Sequence, residues 1–80
     1  MNRVTFYTRE RCPLCEEGKQ LLLLIKEDAH FDLEEVDIDG DDVLTERYGL
    51  SVPVVVSNGV EIQSGRLTWD VLSDAFLHEE

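Results

Sequence analysis

Apolar positions along the chain follow two spacings, and each predicts its own kind of element. Val4, Phe6 and Tyr7, set among β-branched Thr5 and Thr8, predict a short buried strand over Arg3 to Thr8. The segment from Glu16 to Asp28 has no proline, a single glycine at Gly18, and an abundance of Glu, Lys, Gln and Leu, which predicts a helix. From Phe31 to Ile38 the pattern alternates again. Phe31, Leu33 and Glu35 share one parity, and Asp32, Glu34, Val36 and Ile38 the other, so a strand is expected that is half exposed at its start and turns Val36 and Ile38 inward. A strand, a helix and a strand over about thirty-five residues match a right-handed parallel crossover.

The second half predicts antiparallel pairing. Val52 to Ser57 is a β-branched run, Asn58-Gly59 is a strong two-residue hairpin signal, and Val60 to Gln63 is the returning strand. Before this hairpin, Asp39 or Asp41 is placed to cap a short helix running to Arg47 or Tyr48, with Val43, Leu44 and Tyr48 inward and Gly49 at its end. After it, Thr68 is the expected N-cap of a last helix over Trp69 to Leu77 that turns Val71, Leu72, Ala75 and Phe76 to the sheet. Trp69 is expected to pack in the core or between helices, with no functional role. The whole is a βαβαββα unit over residues 1–80, a single α/β domain with a four-stranded mixed sheet flanked by helices. Pro53 opens a strand without an N–H to donate, which is tolerated at a strand end or after a cis bond; the pattern itself leaves the isomer open.

The two cysteines change the picture from a fold to a chemistry. Cys12-Pro13-Leu14-Cys15 holds both cysteines of the chain, spaced to form one reversible disulfide within a helical turn. Pro13 suits the first turn of a helix, so Cys12 falls at the helix N-terminus. There the unpaired N–H groups and the positive end of the helix dipole favour a thiolate, the species that attacks disulfides. Arg9 and Arg11 flank Cys12 and add to that stabilisation. Cys12 is thus the expected attacking thiol, and Cys15, further into the helix, the resolving one. The alternative is zinc, which needs four ligands in a closed site; only His30 and His78 could join the cysteines, and no second CxxC exists. CxxC between a strand and a helix is the redox context, and redox chemistry is preferred.

Length, composition and charge set the remaining bounds. Eighty residues make one small core. The start of the chain lacks the apolar stretch of a signal peptide, and the run Leu21 to Ile25 is far too short to cross a bilayer, so a cytoplasmic protein without membrane association is expected. In such a setting a cysteine pair is usually catalytic or metal-binding. The net charge is −11 and uneven. Residues 1–26 carry five Lys and Arg against three acids, whereas residues 27–80 carry two against fifteen. Nucleic-acid binding is disfavoured, because it needs a basic footprint. The acidic run from Glu27 to Glu46 is expected to be a solvated face, with docking to a basic partner as the sharper reading. It is not a calcium loop: from Asp37, the glycine falls fourth and Tyr48, not a glutamate, stands twelfth.

Taken together, Tyr7-Thr8, Cys12-Pro13-Leu14-Cys15, Ser51-Val52-Pro53 and Gly65-Arg66 resemble, in order and approximate spacing, the motifs of the thioredoxin superfamily and its short glutaredoxin-like branch. The resemblance covers essentially the whole chain and implies a thioredoxin-like fold. It also implies a cis Pro53 facing the disulfide, Arg9 as a ligand of the glycyl carboxylate of glutathione, and Val52 offering its backbone N–H and C=O to glutathione or an extended substrate. Leu14, Gly65 and Arg66 complete the implied substrate or glutathione surface. Leu14 stands where the family has tyrosine, and the usual glycine pair is reduced to Gly65.

The function expected is that of a monomeric glutaredoxin-like thiol–disulfide oxidoreductase acting on disulfide-containing or glutathionylated proteins. It binds no permanent cofactor; glutathione is the expected co-substrate, with a thioredoxin-reductase-type enzyme as the alternative donor. A second reading is a recognition module or a glutathione-assisted iron–sulfur carrier, against which the resolving Cys15 counts. Arsenate or peroxide reduction is a third, and nothing in the sequence selects it.

Overall fold

The first apolar stretch forms the strand around which the others are laid. In the computed structural model, which describes residues 3–77, β1 spans Arg3–Thr8 and alternates buried Val4, Phe6 and Thr8 with half-buried Thr5 and Tyr7. Next come α1 (Pro13–Ala29), β2 (Asp32–Asp37), α2 (Asp42–Tyr48), β3 (Val54–Ser57), β4 (Val60–Ser64) and α3 (Trp69–Phe76). The sheet order is β2-β1-β3-β4, with β1 and β2 parallel and the other two pairs antiparallel. This is the mixed four-stranded sheet with three helices of the thioredoxin-like fold.

Pleating decides which helix covers which face. Phe6 joins Leu22 and Ile25 of α1 and Leu72 of α3 in the main core. Tyr7 points the opposite way and stacks on Tyr48 of α2, ring centroids 4.4 Å apart. The sheet therefore carries α1 and α3 on one face and α2 on the other. Ile38 and Val54 are fully buried outside the main cluster. Phe31 and Phe76, 5.0 Å apart, tie the end of α3 to the start of β2.

Several turns follow from single residues. Asn58 and Gly59 both have positive φ, 55° and 80°, as a type I′ hairpin requires. Asp41, rather than Asp39, caps α2 by accepting the Leu44 N–H at 3.0 Å. Helix α1 ends at His30 in the left-handed conformation, whose N–H donates to the Lys26 carbonyl. On β4, Val55 pairs with Gln63 and Val56 with Glu61, so Ile62 is the extra residue of a bulge and the strand runs on to Ser64.

The structure corrects four expectations. Val43 is 71% exposed and α2 buries no residue fully; Leu44, Thr45 and Tyr48 are its half-buried positions, and the Thr45 hydroxyl donates to the Ile38 carbonyl at 2.8 Å. In α3 the inward row is Leu72 and Phe76; Val71 and Ala75, one position back, stay exposed. Trp69 is 48% exposed and not core. Strand β3 starts at Val54 and not Val52: Pro53 has no N–H for the ladder, and the Val52 N–H donates to the Tyr48 carbonyl at 3.0 Å. Thr68 is the N-cap of α3 but makes no side-chain cap. Gln63 instead holds the cap residue itself, accepting the Thr68 N–H at 2.9 Å and donating to the Thr68 hydroxyl at 3.2 Å.

Candidate active site

The site forms where β1 hands the chain to α1. Arg11 takes a left-handed φ of 57°, which turns the backbone sharply into the helix. Cys12 is the N-cap, in extended conformation, and Pro13 is the first helical residue, where no intrahelical donor is needed. The Cys12 sulfur accepts the Cys15 N–H at 3.2 Å, and the Cys12 carbonyl accepts the Glu16 N–H at 3.0 Å. A side-chain oxygen normally fills the first of these roles; here sulfur does, so the helix terminus is aimed at the reactive atom. The two cysteines are bridged, with Cα atoms 5.1 Å apart. Cys12 is half-buried and Cys15 is 2% exposed.

That difference in burial makes a measurable prediction. Treating the reduced protein briefly with iodoacetamide is expected to modify Cys12 and spare Cys15, as read by peptide mass. Equal labelling of the two would contradict the assignment of an outer and an inner thiol.

The segment expected to receive substrate is held by backbone bonds. The Val52–Pro53 peptide bond is cis and Pro53 is buried. Gly65, at φ 76°, donates its N–H to both the Ser51 carbonyl (3.0 Å) and the Pro53 carbonyl (2.9 Å), which fastens the β4–α3 turn to the proline segment. Val52 was expected to offer both backbone groups to a ligand. Its N–H is already used on Tyr48, and among the described residues only its carbonyl lacks a backbone partner.

Two of the three charged candidates, Arg9 and Arg66, are fixed by ion pairs. Arg9 donates Nη2 and Nε to Asp39 Oδ1 at 2.9 and 3.3 Å, and Nη1 to the Gly49 carbonyl at 2.9 Å. Arg66 donates Nη1 to both carboxylate oxygens of Glu17, at 3.1 and 3.3 Å, an exposed pair of small energetic weight. Arg11 is exposed and forms no ion pair with a described residue. Leu14 is half-buried between the cysteines. A cleft of about 480 Å³ opens beside Cys15, over β1 and β2, and includes Thr8, Arg9, Glu16, Lys19 and Glu35.

Zinc does not fit this arrangement through His30, which ends the 17-residue helix that Cys12 begins, about 25 Å away at 1.5 Å per residue. His78 lies outside the described residues. Among the described residues, no three His, Cys, Asp or Glu side chains converge as a metal site, and no helix is long and apolar enough to cross a membrane. The acidic run is solvated apart from local tasks: Asp39 binds Arg9, Glu35 pairs with Lys19 at 3.0 Å, and Asp41 caps α2.

Residues 3–77 match the family model described as a glutaredoxin-like domain. The chain belongs to the glutaredoxin-like domain family. Among solved structures, this glutaredoxin-like chain is similar to protein Ne2328 from Nitrosomonas europaea, at 32% identity and a TM-score of 0.80, covering 94% of this chain and 91% of that one. It is also similar to protein XcR50 from X. campestris, at 30% identity and a TM-score of 0.75, with 92% and 93% covered. Glutaredoxin 1 from Francisella tularensis shares the fold at 22% identity and a TM-score of 0.60, with 94% and 93% covered. The family and the Cys12/Cys15 pair together support a role of the thiol–disulfide oxidoreductase type.

Two residues owe their importance here to neighbours remote in the sequence. Asp39 lies thirty positions from Arg9 in the sequence. Gly18, in mid-helix, proves to lie against Leu67 and Pro53.

Proposed function

We propose that this protein reduces protein disulfides by dithiol exchange. The Cys12 thiolate attacks one sulfur of the substrate disulfide, forms a mixed disulfide and expels the other sulfur as a thiolate. The Cys15 thiolate then attacks the Cys12 sulfur, closes the Cys12–Cys15 bond and expels the second substrate thiolate. The two protons given up by the cysteines end on the two released thiols. Regeneration takes two electrons from a thiol donor, either two molecules of glutathione or the dithiol of a reductase. The observation that carries this reading is the half-buried Cys12 sulfur at the helix cap, with buried Cys15 one turn behind it. The free Val52 carbonyl next to cis Pro53 is the position proposed for an extended substrate chain, which would donate a backbone N–H to it.

The test is a redox titration of the Cys12–Cys15 couple, coupled to an assay of protein-disulfide reduction. A reversible two-electron couple between about −200 and −270 mV, the span of glutaredoxins and thioredoxin, is expected together with turnover. Absence of any reversible couple would leave the fold as a recognition domain and end the catalytic reading.

A further inference from the structure

Arg9 and Lys19, the two cations that line the cleft beside Cys15, are each matched by a carboxylate, which bears on substrate charge. The Arg9 guanidinium meets Asp39 on one edge and the Gly49 carbonyl with its remaining terminal nitrogen. Its Nε/Nη2 edge, which can take a carboxylate side-on, is thereby occupied by Asp39 and its charge locally compensated. Lys19, the other cation of the cleft beside Cys15, is paired with Glu35. The cleft keeps Glu10, Glu16 and Asp37, none of which meets a cation among the described residues. Exposed Arg11 offsets one of these three charges, and Arg66 is paired with Glu17. Thr8, 8% exposed, lines the same cleft.

We infer that Asp39 is a specificity-determining residue. By holding Arg9 it closes the carboxylate-binding position beside the disulfide, so the Cys12–Cys15 pair acts on disulfides flanked by cationic side chains in preference to those of carboxylate-bearing thiols such as glutathione. This rests on the dithiol exchange proposed above, whose atoms and electrons are unchanged; only the charge of the substrate is at issue. The same charge set makes glutathione a slower donor than the dithiol of a protein.

The experiment mixes reduced protein with cystamine (dicationic), 2-hydroxyethyl disulfide (uncharged) or glutathione disulfide (anionic). Each rate is divided by that disulfide's rate with dithiothreitol, to remove intrinsic leaving-group differences. The expected order is cystamine, then 2-hydroxyethyl disulfide, then glutathione disulfide, with about tenfold or more between the extremes at low salt and a clear narrowing at high salt. Asp39→Asn is expected to shift the ratio toward glutathione disulfide by about fivefold, the effect of one close charge in water. The salt dependence of the unmodified protein serves as a second reading that needs no variant. If the extremes differ less than twofold at low salt, or if Asp39→Asn leaves the ratio in place, selection by Asp39 is overturned. If even the uncharged disulfide is not reduced, the oxidoreductase reading fails along with it.

Discussion

Cys12→Ser is expected to lower disulfide reduction by at least about a thousandfold, whereas Cys15→Ser stops the reaction at an isolable covalent intermediate. The two effects differ because the two sulfurs stand in different places on one helix. Cys12 occupies the cap, where the Cys15 N–H meets its sulfur and substrate has access. Serine there offers a hydroxyl that does not ionise under these conditions, and Cys15, 2% exposed, is a poor attacking thiol in its stead. In Cys15→Ser the first attack proceeds, but nothing within the protein attacks the resulting mixed disulfide. With no free thiol present, intact mass is expected to show one substrate half bound per chain, on Cys12. Trapping in the Cys12→Ser variant instead would reverse the roles. Turnover by Cys12→Ser above about a tenth of the parent rate would remove the mechanism altogether.

Much of this arrangement was legible in the chain because the deciding interactions are local. Strand β1 keeps its expected bounds, since the apolar and β-branched residues stop at Thr8, where the charged Arg9-Glu10-Arg11 leads into the CxxC. Pro13 marks the helix start, and Asn58-Gly59 the hairpin, because each residue type restricts its own backbone. Elements whose placement depends on remote surfaces were harder. Helix α2 offers only seven residues, too few for periodicity to separate the inward Leu44 and Tyr48 from the outward Val43. In α3, adjacent apolar rows compete for one core face, and the sequence does not say that Leu72 and Phe76 win over Val71 and Ala75. At the site, both cysteines are visible as a motif, but the partner of Arg9 is not. An arginine beside a reactive thiol reads the same whether it is free or held by a carboxylate thirty positions away.

Gly18→Leu is expected to produce the largest loss of stability of any single change near the site. Helix interiors disfavour glycine by about 1 kcal/mol relative to alanine, so its presence in α1 calls for a packing reason. A Cβ at this position would lie 2.7 Å from Leu67 Cδ1, 3.1 Å from Leu67 Cγ and 3.5 Å from Pro53 Cγ. Leu67 is 4% exposed and Pro53 is buried, so neither has solvent to move into. For Gly18→Ala, the helical gain of about 1 kcal/mol opposes an overpacking cost of about 1–3 kcal/mol, part of which Leu67 relieves by turning its terminal methyl. A small net change is the result. Leucine adds three further carbons where there is no room, and the cost rises to about 3 kcal/mol, out of a total stability of roughly 4–12 kcal/mol for a domain of this size. At about 4–8 °C per kcal/mol, thermal unfolding should fall by about 12–24 °C, against only a few degrees for Gly18→Ala. The folded fraction should also reduce disulfides more slowly, because the same side chain presses on Pro53 and on the Leu67 turn that Gly65 fastens to it. A leucine variant that melts within about 3 °C of the alanine variant would show that α1 does not need its glycine in order to approach the proline segment.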